Sequence, residues 1–146
     1  MSVKQLKQDA PSTSIAGIDE PTILQYFIHL NTGDFAAVSQ LFAVDGVLQP
    51  PFEERVIGRD AIATYLEREA KGFVLQPQTG HSIELENNCT ELKLSGKVQT
   101  SWFAVNIRWT FILNPLKEIF LVEVKLLAAL EELLPLRSRE KHTLAE

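Results

Sequence analysis

The chain has 146 residues, enough for one domain that buries roughly 68–70% of its unfolded surface without covalent staples. A net charge of -5 speaks against nucleic acid and against an anionic membrane surface, since both recruit basic faces. No apolar run approaches the roughly 18 residues needed to cross a bilayer, and the single cysteine, Cys89, excludes an internal disulfide.

Residues 1–18 carry Ser, Pro, Thr and Gly with scattered charge and no period, and read as a flexible N-terminal arm. Lys4 and Lys7 sit among polar residues there, without the apolar core of a secretory signal, so a cytoplasmic protein is expected. A helix is predicted from about Asp19. Pro21 suits its first turn, Asp19 and Glu20 favour its positive end, and Ile23, Leu24, Phe27 and Leu30 recur at helical spacing. Asn31-Thr32-Gly33 ends it, and Asp34 caps a short second helix carrying Phe35, Val38, Leu41 and Phe42. Asp45-Gly46 reads as a turn. Val47 and Leu48 start a short strand that Pro50-Pro51 stops. A third helix is expected from about Gly58 to Ala70, with Ala61, Ile62, Tyr65 and Leu66 as its apolar stripe.

Beyond Gly72 the period changes to two. A weak strand is expected over His81 to Glu86. From Thr90 to Trp102 the even positions, including Leu92, Leu94, Val98 and Trp102, face inward against Glu91, Lys93 and Lys97. Ile107, Trp109, Phe111 and Leu113 form the next inward face. After the Asn114-Pro115 turn, Phe120, Val122, Val124 and Leu126 form another. Helices followed by an antiparallel meander predict an α+β fold, a curved sheet with the N-terminal helices across its open side. Such a cone is either a filled core or a pocket. The domain is expected over 19–137. Leu126 to Leu136 would cover the cavity mouth or close the core, and 138–146 would be a mobile tail.

The histidines His29, His81 and His142 lack metal-ligand spacing, and there is no phosphate-binding glycine motif. One enzymatic option pairs His29 with Asp45 as acid and base, although Asp45 already has a turn to make. Tyr26 and Trp109 are more suggestive. Each has an apolar body and one polar tip, and two such donors aimed into one cavity would serve both lone pairs of a carbonyl oxygen. The alternative is plain core packing with local backbone partners. Cys89, after Asn87-Asn88, is either a reduced thiol or a link between two chains.

Several strings are similar to the C-terminal domain of the orange carotenoid protein, a member of the NTF2-like superfamily. They are Leu24-Gln25-Tyr26-Phe27, the run from Leu41 through Asp45-Gly46 to Gln49-Pro50-Pro51-Phe52, Gly96-Lys97-Val98-Gln99-Thr100-Ser101-Trp102-Phe103, and Asn106-Ile107-Arg108-Trp109. The resemblance spans about residues 14–137 and implies an NTF2-like cone. It implies that Tyr26 and Trp109 bond the keto oxygen of a ketocarotenoid end ring, of canthaxanthin or echinenone type. Leu30, Phe73, Leu75, Trp102, Val124 and Leu126 would line the ring, and Glu69 matches a residue that pairs with a helical domain. A stand-alone chain of this kind would be a carrier and not an enzyme. It would work as a homodimer, deliver pigment to helical-domain or orange carotenoid proteins, and quench singlet oxygen in a cyanobacterial cytoplasm near thylakoid membranes. A domain of this length has a radius of gyration of roughly 15 Å, so one cone buries only part of a carotenoid and a two-fold pair would cover both rings. Two departures stand out: a shortened Trp102–Trp109 segment, and charge at Glu123 and Lys125. The competing readings are an NTF2-like isomerase or hydrolase using His29 or Asp45, and a dimerisation module with a filled core.

Overall fold

The structure is a computed structural model that describes residues 14–127. The tail expected over 138–146, His142, and the apolar segment past Leu127 lie outside the described residues. Helix α1 spans Pro21–Thr32. Its N-cap is Glu20, whose carboxylate accepts a 3.3 Å hydrogen bond from the Thr22 N–H. Gly33 closes α1 in the left-handed region at φ 78°, where a Cβ would be strained. Asp34 caps α2, Phe35–Gln40, by accepting from the Ala37 N–H at 3.1 Å.

Leu41 and Phe42 were expected on that second helix; Leu41 is instead its C-cap, and Phe42 opens strand β1, Phe42–Gln49. Asp45-Gly46 makes no turn. It lies inside β1, where pairing with a neighbouring strand shifts register between Phe42 and Val47. Gly46 is there for proximity, since a Cβ would come within 2.8 Å of the Ile119 carbonyl oxygen. Strand β2, Val56–Ile57, leads into α3, Arg59–Glu69, which buries Ile62 and Leu66 but leaves Ala61 exposed.

Strand β3 spans Val74–Glu84, earlier and longer than the strand expected at His81–Glu86, and Glu86 belongs to a single 3-10 turn. As an edge strand with most side chains in solvent, β3 has little alternation to read. Strand β4, Thr90–Gln99, ends before Trp102; β5 is Ala104–Leu113 and β6 is Ile119–Leu126. The sheet order is β2-β1-β6-β5-β4-β3, antiparallel throughout except for the parallel β1–β6 pair. Phe120, expected inward, is exposed. The β5–β6 register shifts between Ile112 and Leu113, so Ile119 and Val122 take the buried positions.

The helices lie against the concave side. Tyr26 and Phe27 of α1 stand edge-on to Phe111 and Trp109 of β5, with ring centroids 5.0 and 4.9 Å apart. Ile15 and Ile18, placed in the arm for want of a period, are buried with this core. They are held by the Ala16 carbonyl, which accepts from the Gly80 N–H of β3 at 2.9 Å. The α+β architecture expected from the sequence is present, with a mixed sheet.

Candidate cavity between α1 and the sheet

A cavity of about 340 Å³ opens between α1, α3 and the concave face of the sheet. Its wall is largely apolar. Tyr26 and Leu30 come from α1, Leu66 from α3, Leu75 from β3, Val98 from β4, Ile107 and Trp109 from β5, and Val124 and Leu126 from β6. The strand register explains the grouping. Trp109 pairs with Leu94 on one side and Val124 on the other, and Ile107 pairs with Gly96 and Leu126. Residues two apart on one strand share a face, so Ile107, Trp109, Val124 and Leu126 form one contiguous wall.

Seven of the eight residues expected to contact a ligand therefore surround one space: Tyr26, Leu30, Phe73, Leu75, Trp109, Val124 and Leu126. Trp102 does not. It is 87% exposed, in the β4–β5 loop outside the cavity. The inward alternation that predicted its place stops at Gln99, because Thr100 folds the chain back. The Thr100 hydroxyl accepts from the Trp102 and Phe103 N–H groups at 3.1 and 3.2 Å.

Tyr26 and Trp109 are 2% and 1% exposed. Neither the Tyr26 hydroxyl nor the Trp109 indole N–H has a hydrogen-bond partner among the described residues. Neither atom is sealed within protein either, since the enclosed orphan among the described side chains is Thr90 Oγ1. Both polar tips are thus left to the cavity. Burial pushes the Tyr26 phenol above its ordinary range, which keeps it a hydrogen-bond donor at any physiological pH. An acceptor oxygen of a ligand in the cavity would take a hydrogen bond from each tip, for a net gain of about 0.5–1.5 kcal/mol apiece.

Other contributors had no signal of their own in the sequence. Asn31, read as a helix terminator, clamps β3 to α1: its Nδ2 donates to the Leu75 carbonyl at 2.9 Å and its Oδ1 accepts from the Leu75 N–H at 2.7 Å. Pro50, Pro51, Phe52 and Glu53 line the mouth on one side, and Phe103 and Val105 on the other. Val98 and Ile107, expected inward from the alternation of their strands, line the cavity as well. Tyr65 donates to Glu53 Oε1 at 3.2 Å across the mouth. Burial first, then the Glu53 charge and this bond, push the Tyr65 phenol up to about 12.

His29 and Asp45 do not come together at this site: neither lines the cavity, and Asp45 is exposed on β1. No metal-binding cluster of His, Cys, Asp or Glu occurs among the described residues. No helix among them is long and apolar enough to cross a membrane. Cys89 is half-buried just before β4, at the end of that strand remote from Val98 and Thr100. Glu69 is exposed at the mouth, paired with Arg68 Nε at 3.0 Å.

Comparison with known proteins identifies the family of this fold. The family profile of the Nuclear transport factor 2 (NTF2) domain matches residues 20–128. The chain is 41% identical over 126 residues to the orange carotenoid-binding protein of Limnospira maxima, covering 84% of this chain and 40% of that one. It is 40% identical over 125 residues to the orange carotenoid-binding protein of Synechocystis sp., covering 83% of this chain and 39% of that one. The chain thus spans about two fifths of the curated relatives it matches, as a homologue of their C-terminal domain would. The structure of the orange carotenoid protein of Anabaena (Nostoc) sp. PCC 7120 binding canthaxanthin superposes with a TM-score of 0.79 at 39% identity, over 88% of this chain and 42% of that chain. A putative isomerase from Bacillus subtilis, 12% identical with a TM-score of 0.60, shares the fold alone.

Proposed function

This chain belongs to the NTF2 domain family, and from that premise we propose that it binds the keto-bearing end ring of a carotenoid in the cavity and carries the pigment to a related acceptor protein. The observation that carries the reading is the pair of buried donors without acceptors, Tyr26 and Trp109, in one apolar cavity. A ring ketone presents two lone pairs to two donors, while the ring and its methyl groups meet Leu30, Phe73, Leu75, Val124 and Leu126. Similarity to orange carotenoid-binding proteins supports the ligand class, and the canthaxanthin in one relative's structure supports a ketocarotenoid of canthaxanthin or echinenone type.

A cavity of about 340 Å³ takes an end ring and the start of a polyene. The remaining polyene is apolar and costly to leave in water. Two copies meeting mouth to mouth would cover both rings, so the loaded carrier is a homodimer. Transfer to helical-domain or orange carotenoid proteins and quenching of singlet oxygen follow from the same reading, as does action in the cytoplasm near pigment-bearing thylakoid membranes. Catalysis has weaker support. The candidate acid and base, His29 and Asp45, are absent from the cavity wall, and the titratable groups on that wall, Glu53, Tyr65 and Glu69, sit at its mouth beside Tyr26 deep inside. A filled-core dimerisation module sits poorly with an open cavity of this volume.

The test is purification from a host that makes canthaxanthin, beside the Tyr26→Phe/Trp109→Phe double variant. The expected result is a red-shifted absorption band co-eluting with a dimer, lost or blue-shifted in the variant. A colourless wild-type protein refutes the reading.

A further inference from the structure

From β6 through β5 and β4 to β3, the cavity wall is closed by strand pairing, but β3 is the edge of the sheet. A seam therefore runs between β3 and α1, with the wall residue Leu75 on one side and the wall residue Leu30 on the other. An edge strand leaves its outward N–H and C=O groups without a neighbouring strand. At Leu75 one side chain takes both. Asn31 Oδ1 accepts from the Leu75 N–H at 2.7 Å and Asn31 Nδ2 donates to the Leu75 carbonyl at 2.9 Å, so the amide stands where the peptide of a further strand would. Further along the same edge, Ala16 donates to the Gln78 carbonyl at 3.3 Å and accepts from the Gly80 N–H at 2.9 Å. The opposite end of α1 is tied separately, by the Thr22 hydroxyl donating to the Lys117 carbonyl at 2.9 Å.

The contact at Leu75 is built to open. Asn31 is exposed, so water replaces both bonds when they break and their net worth is small. The strip from Phe73 to Gln76 is bounded by two points where the backbone can bend. Gly72 precedes it in the left-handed region at φ 85°, and the pairing with β4 shifts register between Pro77 and Thr79. Phe73 and Leu75, both on the cavity wall, travel with this strip. We propose that Asn31 is a positioning residue that latches the seam, and that opening of the Asn31–Leu75 pair is the step by which an apolar ligand enters and leaves the cavity. The inference rests on the carotenoid reading for the ligand it serves. A carrier has to release a ring gripped by two donors and an apolar wall without unfolding. Widening the slot at the seam does this while β4, β5 and β6 stay paired and Tyr26 and Trp109 stay in place. The latch touches no ligand and is the same in empty and filled protein, so it governs rates in both directions and leaves affinity nearly unchanged.

The test compares the full-length wild type with Asn31→Ala. In the pigment-free proteins, amide hydrogen exchange over residues 73–76 should quicken by about tenfold in the variant, the worth of one or two modest hydrogen bonds, while exchange in β4 and β5 is unchanged. Diphenylhexatriene, an apolar polyene without a ketone, is followed through its quenching of tryptophan emission. Its entry and exit should both accelerate by about tenfold, with affinity held within about threefold. Faster exit with unchanged entry makes Asn31 a brace for the bound state and overturns the proposal. Unaltered exchange at Leu75, exchange raised throughout the sheet, or a wild-type protein that admits no probe each overturns it as well. Canthaxanthin, supplied in parallel, separates the two readings. Probe kinetics as expected without a red-shifted canthaxanthin band support the latch and sink the carotenoid. A canthaxanthin band with probe rates equal in wild type and variant sinks the latch alone.

Discussion

Phe27 stands edge-on to Trp109, with ring centroids 4.9 Å apart and planes at 81°. The same ring meets Tyr26 edge-on at 5.2 Å, so a fully buried side chain outside the cavity wall orients both side chains. Phe27→Leu preserves burial but removes these two edge-on contacts, worth about 0.5–1.5 kcal/mol each, along with a longer one to Phe111 at 6.0 Å. The expected result is a loss of about 1–3 kcal/mol in chemical denaturation, with a bound-pigment band broader and blue-shifted although no ligand contact was deleted. An unaltered band would show that Phe27 serves packing alone.

Tyr26→Phe separates folding from binding. The hydroxyl has no partner among the described residues, so its removal should leave pigment-free stability within about 1 kcal/mol or raise it. Affinity for a ketocarotenoid should fall by about tenfold, the worth of one hydrogen bond to a buried oxygen. Thermal melts of the empty protein and pigment titrations check the two halves separately.

The phenol of Tyr26 titrates above its ordinary value of 10.0 because burial disfavours the charged form. A group whose folded pKa is raised contributes its full stability below the unfolded pKa and loses it as pH climbs towards the folded one. The contribution of Tyr26 should therefore be flat up to about pH 10 and decline above it, and that of Tyr65, pushed up to about 12, should decline between 10 and 12. Denaturant midpoints measured from pH 8 to pH 11 should fall less steeply in Tyr26→Phe than in wild type.

Two substitutions should stabilise the protein. Thr90→Val removes the enclosed Oγ1 that has no partner and keeps the side-chain shape, for a gain of about 1 kcal/mol. Phe52→Asn places a residue tolerant of the left-handed region at φ 62° and should add about 0.5–1 kcal/mol. Differential scanning calorimetry would register both as higher midpoints. A lower midpoint for Thr90→Val would mean that the hydroxyl is satisfied in solution.

Strong alternation made β4 and β5 legible. Leu92, Leu94 and Val98 share one face, as do Ile107, Trp109 and Phe111, and of these Val98, Ile107 and Trp109 line the cavity. Sequence periodicity fails where one residue breaks the count. The register shift beside Ile119 turned Phe120 outward, and the hairpin built by Thr100 moved Trp102 into solvent without a glycine, proline or asparagine to announce it. Asp45-Gly46 misled for a related reason. Glycine marks turns and close backbone approaches alike, and only the neighbouring strand reveals that Gly46 makes room for Ile119. Asn31 acts through Leu75, forty-four residues further along the chain, a pairing that exists only after folding.

Strand β4 has its two ends at opposite poles of the domain, Cys89 preceding one and the cavity mouth following the other. Ten residues at about 3.3 Å each separate thiol from mouth by roughly 30 Å. In a mouth-to-mouth pair the two thiols then point away from each other, some 60 Å apart, whereas a disulfide needs Cα atoms within about 7 Å. Oxidation at Cys89 cannot clasp the pigment between two copies. A disulfide through Cys89 would instead bridge the outer poles of two such pairs.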